Sequence, residues 1–204
     1  MSSVPSNLSS PLALGAPIVL APTGMVPTKA MTPHVPLTPA EIAADVKACA
    51  EIGITSVHLH ARDDSGKPTW EREVFRRLVG AVREQAPDVL INVTTSGRDW
   101  SELERRADAL ALDGDLKPDL ASLTLSSLNF LQSASVNAPD VVVGLARIMT
   151  ERGIVPELEI FDFGMINVAH VMRAKGQLTA PLVANLFFGN IAGMQATPAE
   201  FGVA

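Results

Sequence analysis

The chain has 204 residues, of which 47% are hydrophobic and 19% charged, so it is long and apolar enough to form one substantial core. The net charge of −6, with no basic cluster, argues against a nucleic-acid partner. No apolar run approaches the ~20 residues that span a bilayer, and the single cysteine, Cys49, excludes an internal disulfide and favours a cytoplasmic protein.

The first sixteen residues differ in character from the rest of the chain. The sequence MSSVPSNLSSPLALGA has neither a charged n-region nor a sustained apolar h-region, so it does not resemble a signal peptide. We expect residues 1–16 to form a disordered N-terminal tail and residues 17–204 to form the catalytic domain.

Short apolar runs rich in β-branched residues alternate with amphipathic helical runs from residue 17 onward. The first strand is predicted at Ile18–Ala21, and the helix after it begins with a capping-box sequence, Thr38-Pro39-Ala40-Glu41. The other predicted strands are Ser56–Ala61, Val89–Thr95, Leu120–Leu125, Val155–Phe161 and Leu182–Phe188.

A helical pattern also follows each of the next four strands. The patterns comprise a stripe of Val74, Phe75, Leu78 and Val82, a second capping-box spacing at Ser101 and Glu104, a run from Pro139 to Gly153, and a run from Ile166 to Ala174. Such alternation predicts an α/β fold with a parallel sheet. Because no G-x-G-x-x-G follows the first strand, a (β/α)₈ TIM barrel is favoured over a dinucleotide-binding fold. About six of its eight βα units are present, whereas a complete barrel takes about 250 residues.

The second predicted strand carries two histidines. His58 and His60 are two residues apart, so on a strand both imidazoles point to one face. Neutral imidazole is a common ligand of zinc, and a strand end at a barrel mouth leaves coordination positions open. The alternative is one structural histidine with an accidental neighbour.

Two further polar clusters close predicted strands. Thr94 and Ser96 share a face at the end of the third strand, and Gly97 allows close approach to the backbone, which suits a carboxylate ligand or a simple polar strand end. Glu157 and Glu159 share a face of a strand expected to be buried, so they meet either a cation or an inward arginine. Each cluster lies near the carboxyl end of its strand, where barrel enzymes carry their active sites. Weaker polar signals of this kind are Ser122, Thr124 and Asn185.

Several segments, taken in order, resemble the beta-keto acid cleavage enzyme family, whose named member cleaves 3-keto-5-aminohexanoate. They are Ala21-Pro22-Thr23-Gly24, Pro36-Leu37-Thr38-Pro39-Ala40-Glu41-Ile42, His58-Leu59-His60-Ala61-Arg62, Thr94-Thr95-Ser96-Gly97, Leu116-Lys117-Pro118-Asp119 and Pro156-Glu157-Leu158-Glu159. The resemblance implies a (β/α)₈ barrel, a divalent metal, usually zinc, and homo-oligomers. It also implies a reaction in which a β-keto acid and acetyl-CoA give acetoacetate and a new CoA thioester.

The resemblance also assigns roles to individual residues. His58 and His60 match the two metal-binding histidines. Thr94 and Gly97 match substrate-binding positions, and Ser122 stands where the family has a substrate-binding threonine. Glu159 matches an acidic residue of the active-site wall and is the catalytic candidate.

The sequence departs from the family pattern in two ways. Val26 stands where the branch that binds amino-substituted keto acids carries an acid, so a neutral or apolar substrate side chain is expected. The family's Arg…Glu-Asp stretch, which supplies a third metal ligand and the base, is expected beyond Ala204, and activity of these 204 residues alone is therefore left open. The alternatives are a non-catalytic, ligand-binding remnant of such an enzyme and a metal-dependent aldolase or hydrolase on the same barrel.

Overall fold

The computed structural model describes residues 17–204, so the predicted tail at residues 1–16 lies outside the described residues. The chain divides into two compact units. Of the described residues, 17–93 and Leu112–Pro118 form the first unit, and Thr94–Ala111 and Asp119–Ala204 form the second.

The first unit contains three parallel strands in the order β1-β2-β3. They are β1 (Val19–Leu20), β2 (Ser56–Leu59) and β3 (Leu90–Val93). Helix α1 (Pro39–Ala50) connects β1 to β2, and helix α2 (Arg72–Gln85) connects β2 to β3. All four residues of β2 are buried, which places this strand in the core of the unit.

Both helices of the first unit follow their sequence signals. In α1 the Thr38 hydroxyl accepts a hydrogen bond from the Glu41 N–H at 3.2 Å, and the Glu41 carboxylate accepts one from the Thr38 N–H at 3.0 Å. This is the predicted capping box, which satisfies two backbone donors that the first turn leaves open. In α2 the predicted stripe is buried together with Val79.

The second unit contains three more parallel strands in the order β4-β7-β8. They are β4 (Leu120–Thr124), β7 (Val155–Ile160) and β8 (Val183–Leu186). A short antiparallel hairpin follows β4, formed by β5 (Leu128–Asn129) and β6 (Ala134–Ser135). The helices of this unit are α3 (Leu103–Ala107), α4 (Pro139–Arg152), α5 (Phe163–Ala174) and α6 (Pro198–Val203).

All six predicted strands are found. Each ends one or two residues earlier than the pattern indicated. Strands β1, β3 and β8 also begin one residue later than predicted, whereas β2, β4 and β7 begin at the predicted residue. Six parallel strands alternate with helices within residues 17–204, which confirms the predicted fold class. Among the same residues, no helix has both the length and the apolar character that crossing a membrane requires.

Two helix starts differ from the sequence expectation. The capping box at Ser101 is wrong, because α3 begins at Leu103 with Glu102 as its N-cap and without a side-chain cap. Helix α5 begins at Phe163 and not at Ile166, because the Asp162 carboxylate accepts a hydrogen bond from the Met165 N–H at 2.9 Å and so caps an earlier turn.

Candidate active site

The two histidines of the first unit converge on one point. His58 lies on β2 with 9% of its surface exposed, and His60 follows directly after the last residue of that strand. The two Nε2 atoms are 3.0 Å apart, and the ring planes are tilted by 46°. The side-chain alternation expected of a strand therefore extends one residue past its formal end and brings both imidazoles to the same face.

This arrangement fits two ligands of one metal ion. Two nitrogens at the usual zinc distance in a tetrahedral site lie roughly 3.3 Å apart, which is close to the observed separation. If both Nε2 atoms are deprotonated, both present lone pairs to the same point. The donor set, two neutral imidazoles in a largely buried position, suits zinc and similar borderline ions.

Arg62 fixes the chain that leaves β2. Its guanidinium donates to the carbonyls of Gly24 at 2.8 Å, Pro27 at 3.2 Å and Gly66 at 3.2 Å, and only 5% of the residue is exposed. These bonds tie the segment after β1 to the segment that carries the histidines. Gly24 has a φ of +70°, a conformation that favours glycine.

In the second unit, the two glutamates of β7 each lie beside a hydroxyl of β4. The strands are paired so that Glu157 is opposite Ser122 and Glu159 is opposite Thr124. The Thr124 hydroxyl donates to Glu159 Oε2 at 2.5 Å, a short charge-assisted hydrogen bond. Glu157 is 3% exposed, whereas Glu159 is half-buried at the carboxyl end of its strand.

Ser122 supports the segment that contains Thr94 and Gly97. Its hydroxyl accepts a hydrogen bond from the Thr95 N–H at 3.1 Å, and its carbonyl accepts one from the Thr95 hydroxyl at 2.6 Å. Ser122 is 1% exposed, so the described contacts show a structural role. A direct contact with substrate stays a prediction.

A buried arginine completes this segment, and sequence reasoning missed it. Arg106 donates to the Thr95 carbonyl at 2.7 Å, the Val136 carbonyl at 3.2 Å and Asn137 Oδ1 at 2.8 Å. Burial lowers the pKa of Arg106 to about 10, and the negative charge of Glu159 acts in the opposite direction. Arg106 is therefore charged at neutral pH.

Gly97 is clamped by the same network. Its carbonyl accepts a hydrogen bond from the Val136 N–H at 3.0 Å, and a Cβ atom at this position would lie 2.3 Å from the Val136 carbonyl oxygen. No side chain fits here without moving the backbone, because the Val136 carbonyl occupies the space beside Gly97. The predicted approach of a ligand to this backbone stays a prediction.

Arg98 and three phenylalanines form a second feature without a sequence signal. The Arg98 guanidinium lies 3.7 Å above the centre of the Phe130 ring. Phe130 meets Phe161 edge to face, and Phe161 stacks on Phe187 with ring centres 4.5 Å apart. The four residues follow different strands or turns, so no local spacing in the sequence could reveal that they meet.

The sequence matches the family of beta-keto acid cleavage enzymes over residues 16–204. It is 34% identical over 184 residues to the 3-keto-5-aminohexanoate cleavage enzyme of Acetoanaerobium sticklandii, covering 90% of this chain and 66% of that protein. It is 37% identical over 172 residues to the 3-oxoadipate:acetyl-CoA acetyltransferase of Cupriavidus necator, covering 84% of this chain and 59% of that protein. The chain thus spans about three-fifths to two-thirds of the length of these relatives.

Solved structures agree at the level of the fold. The apo structure of ObcA superposes with a TM-score of 0.72 at 23% identity, covering 80% of this chain and 38% of that chain. A ternary complex of ObcA with a C4-CoA adduct and oxalate gives a TM-score of 0.72 at 24% identity, with 80% and 39% covered.

Proposed function

Because this chain belongs to the beta-keto acid cleavage enzyme family, we propose that it serves in acyl exchange between a β-keto acid and acetyl-CoA. In that exchange R–CO–CH₂–COO⁻ and CH₃–CO–SCoA give CH₃–CO–CH₂–COO⁻ and R–CO–SCoA. One carbon–carbon bond forms and another breaks, and the thiolate of CoA moves from the acetyl group to the R–CO group. The observation that carries the metal-dependent form of this proposal is the convergence of His58 and His60, whose Nε2 atoms lie 3.0 Å apart.

His58 and His60 would hold a divalent metal, for which zinc is the expected ion. Such a metal supplies Lewis-acid polarisation of the keto carbonyl and stabilises the negative charge of an enolate. The imidazoles are fixed for this task by the burial of β2, and the hydrogen bonds of Arg62 hold the chain that follows them. A rigid ligand pair lowers the cost of ordering the site when the ion binds.

The second unit supplies the residues proposed to contact substrate. Thr94 offers a hydroxyl, and Gly97 lies in the same segment, with the face that lacks a side chain packed against the Val136 carbonyl. Ser122 would act through Thr95, to which it is hydrogen-bonded. Glu159 is the proposed catalytic residue, an acidic residue of the active-site wall, and its carboxylate accepts the short hydrogen bond from Thr124.

The identity of residue 26 favours a substrate without a cationic side chain. Val26 is 44% exposed and apolar, so it offers no partner to an ammonium group. Two relatives with 34% identity are named as 3-keto-5-aminohexanoate cleavage enzymes, and this chain is proposed to differ from them in taking a neutral or apolar keto acid.

The location and assembly of the protein follow less specific signals. One cysteine and the metabolite substrates favour the cytoplasm. Exposed apolar side chains on β8 and the helices beside it, including Val183, Phe163 and Phe201, favour a homo-oligomer, because such side chains in number commonly mark an interface. No nucleic acid or membrane enters the proposal.

Isotope transfer tests the proposed reaction directly. The protein, supplied with zinc, is incubated with acetyl-CoA labelled with ¹³C at the carbonyl carbon and with a β-keto acid whose side chain R is uncharged. The expected result is label at C3 of acetoacetate, with an equal amount of the new acyl-CoA, both measured by mass spectrometry.

Two other outcomes would replace the proposal. Release of the free acid R–COO⁻ without a new thioester would favour a metal-dependent hydrolase on the same fold. Binding of the keto acid with no conversion would favour a ligand-binding remnant, the second candidate raised by the sequence.

A further inference from the structure

The position of Arg98 is fixed by the segment that precedes it, residues 94–97. Ser96 N–H donates to the Thr94 hydroxyl at 3.2 Å, and Arg98 N–H donates to the Ser96 hydroxyl at 3.3 Å. Gly97, between them, is clamped against Val136. These bonds form a rigid turn, so the side chain of Arg98 leaves it in a defined direction.

An aromatic ring supports the Arg98 guanidinium on one side. At 3.7 Å above the Phe130 ring, the cation lies at the distance of a strong cation–π contact. Phe130 is itself held edge to face by the buried Phe161. The planar guanidinium therefore has one face covered by carbon, and its N–H donors lie in its plane, around its edge.

One of those donors is buried without an acceptor. Arg98 Nε has no hydrogen-bond partner among residues 17–204, although the atom is shielded from solvent. An unsatisfied buried donor is unfavourable, because it has lost its hydrogen bonds to water. Burial also lowers the pKa of this side chain, an effect that the charges of Asp99 and Glu159 oppose. A further anion beside Arg98 would stabilise the charged guanidinium in the same way.

We infer that Arg98 binds a carboxylate of the β-keto acid through its Nε edge, while Phe130 holds the guanidinium in place. That the ligand is a β-keto acid rests on the proposed function. A carboxylate matches the two parallel donors at that edge of a guanidinium, whereas a thioester or ketone accepts only at one oxygen. Arg98 would thus be a specificity residue, and its neighbours Thr94 and Gly97 belong to the segment proposed above to contact substrate.

The bound carboxylate is either the C1 group that every β-keto acid carries or a second acid group on the substrate side chain. Calorimetric titrations of the wild type and of Arg98→Gln distinguish these two carboxylates. The ligands are acetoacetate as the monoacid, 3-oxoglutarate as the diacid and methyl acetoacetate as the neutral analogue. Arg105→Gln, at an exposed arginine of α3, is the matched control. CoA is titrated in parallel.

We expect Arg98→Gln to weaken acetoacetate at least tenfold and to leave methyl acetoacetate and CoA unchanged. A loss confined to 3-oxoglutarate would support the inference too, and would identify the substrate as a β-keto dicarboxylate. Equal affinities of wild type and variant for both acids would overturn it. Equal losses for acid and ester, or a loss for CoA alone, would also overturn it.

A second variant covers the case in which Arg98→Gln does not fold. Arg98→Lys keeps the positive charge but loses the two parallel N–H donors and the stacking on Phe130. It should therefore lower the affinity for the two acids and not for the ester. An unchanged acid affinity would contradict the inference. The isotope transfer assay remains separate. Failure of label transfer with a specific loss of acid affinity would refute the reaction and leave the carboxylate site standing, whereas a wild type that binds no acid would refute both.

Discussion

Strand β2 with the residue that follows it, and strand β7, each carry two identical side chains two residues apart, yet the pairs are arranged differently. His58 and His60 bring their Nε2 atoms to 3.0 Å. On β7, Glu157 and Glu159 are placed opposite Ser122 and Thr124, and the Glu159 carboxylate takes a hydrogen bond from Thr124. The spacing determines only that the members of a pair share a face.

The chemistry of the side chains determines the rest. Two neutral imidazoles can approach each other, because one can donate where the other accepts or both can face a cation. Two carboxylates repel each other in a medium of low dielectric constant, so each needs a donor or a positive charge nearby. For Glu159 these are the Thr124 hydroxyl and the electrostatic attraction of Arg106 and Arg98.

The largest expected effect comes from removing Arg106, the buried cation whose charge interacts with that of Glu159. Arg106→Ala leaves three acceptors without their donor, so we expect the free energy of unfolding to fall by about 3 kcal/mol or more. Urea denaturation measures it. Arg105→Ala, on the exposed side of the same helix, should change it by less than about 0.5 kcal/mol. Similar values for the two variants would mean that the network around Thr95 contributes little.

A smaller effect is expected from the hydroxyl beside Glu159. Thr124→Val keeps the shape but leaves the carboxylate oxygen without this donor, which should cost about 1–3 kcal/mol of unfolding free energy. Thr124→Ser keeps a hydroxyl and should recover most of the loss in the same denaturation experiment. If Ser and Val lower stability equally, the methyl group and not the hydrogen bond carries the effect.

The smallest effect is expected at Glu41, a carboxylate near the surface, which serves as a reference for the half-buried Glu159. Hydrogen bonds from Lys29 and from the N–H groups of Leu37 and Thr38 lower the pKa of Glu41 from 4.5 to about 2. A lowered pKa means that the stabilisation is complete above pH 4.5 and is lost as the pH falls toward 2.

Glu41→Gln should therefore be less stable than the wild type at pH 7, by no more than about 1 kcal/mol because the side chain is 41% exposed. The difference should shrink toward zero between pH 4.5 and 2 in thermal unfolding followed by circular dichroism. Glu84→Gln, at an exposed site on α2, is the control and should show no such trend. A difference that persists at pH 2 would rule out the charge as its source.

The sequence predicts the parts of this structure that depend on local pattern. The six strands, the capping box at Thr38 and the start of α4 at Pro139 follow from alternation and from capping chemistry. The capping box at Ser101 fails although its spacing is correct: α3 begins at Leu103, and it carries Arg106, which is held by tertiary hydrogen bonds to Thr95 and Val136. Local preference is weak compared with such contacts.

The candidate site, too, is predictable only where it depends on local spacing. The pairing of His58 and His60 follows from the period of a strand. The need for glycine at residue 97 does not, because the Val136 carbonyl imposes it. The roles of Arg98 and Arg106 do not, since their partners lie about 30 residues away, at Phe130, Val136 and Asn137. Contacts across that distance leave no regular spacing in the sequence.

The central claim is that the two imidazoles of β2 act together on one ion, and zinc titration against a chelating dye tests it. A shared ion predicts that His58→Ala, His60→Ala and the double variant each lose affinity by tenfold or more, with the double variant little worse than either single one. His34→Ala and His170→Ala, at the two exposed histidines, should bind like the wild type. Zinc affinity unchanged in the His58/His60 double variant, or lost only when His34 or His170 is replaced, would contradict the account.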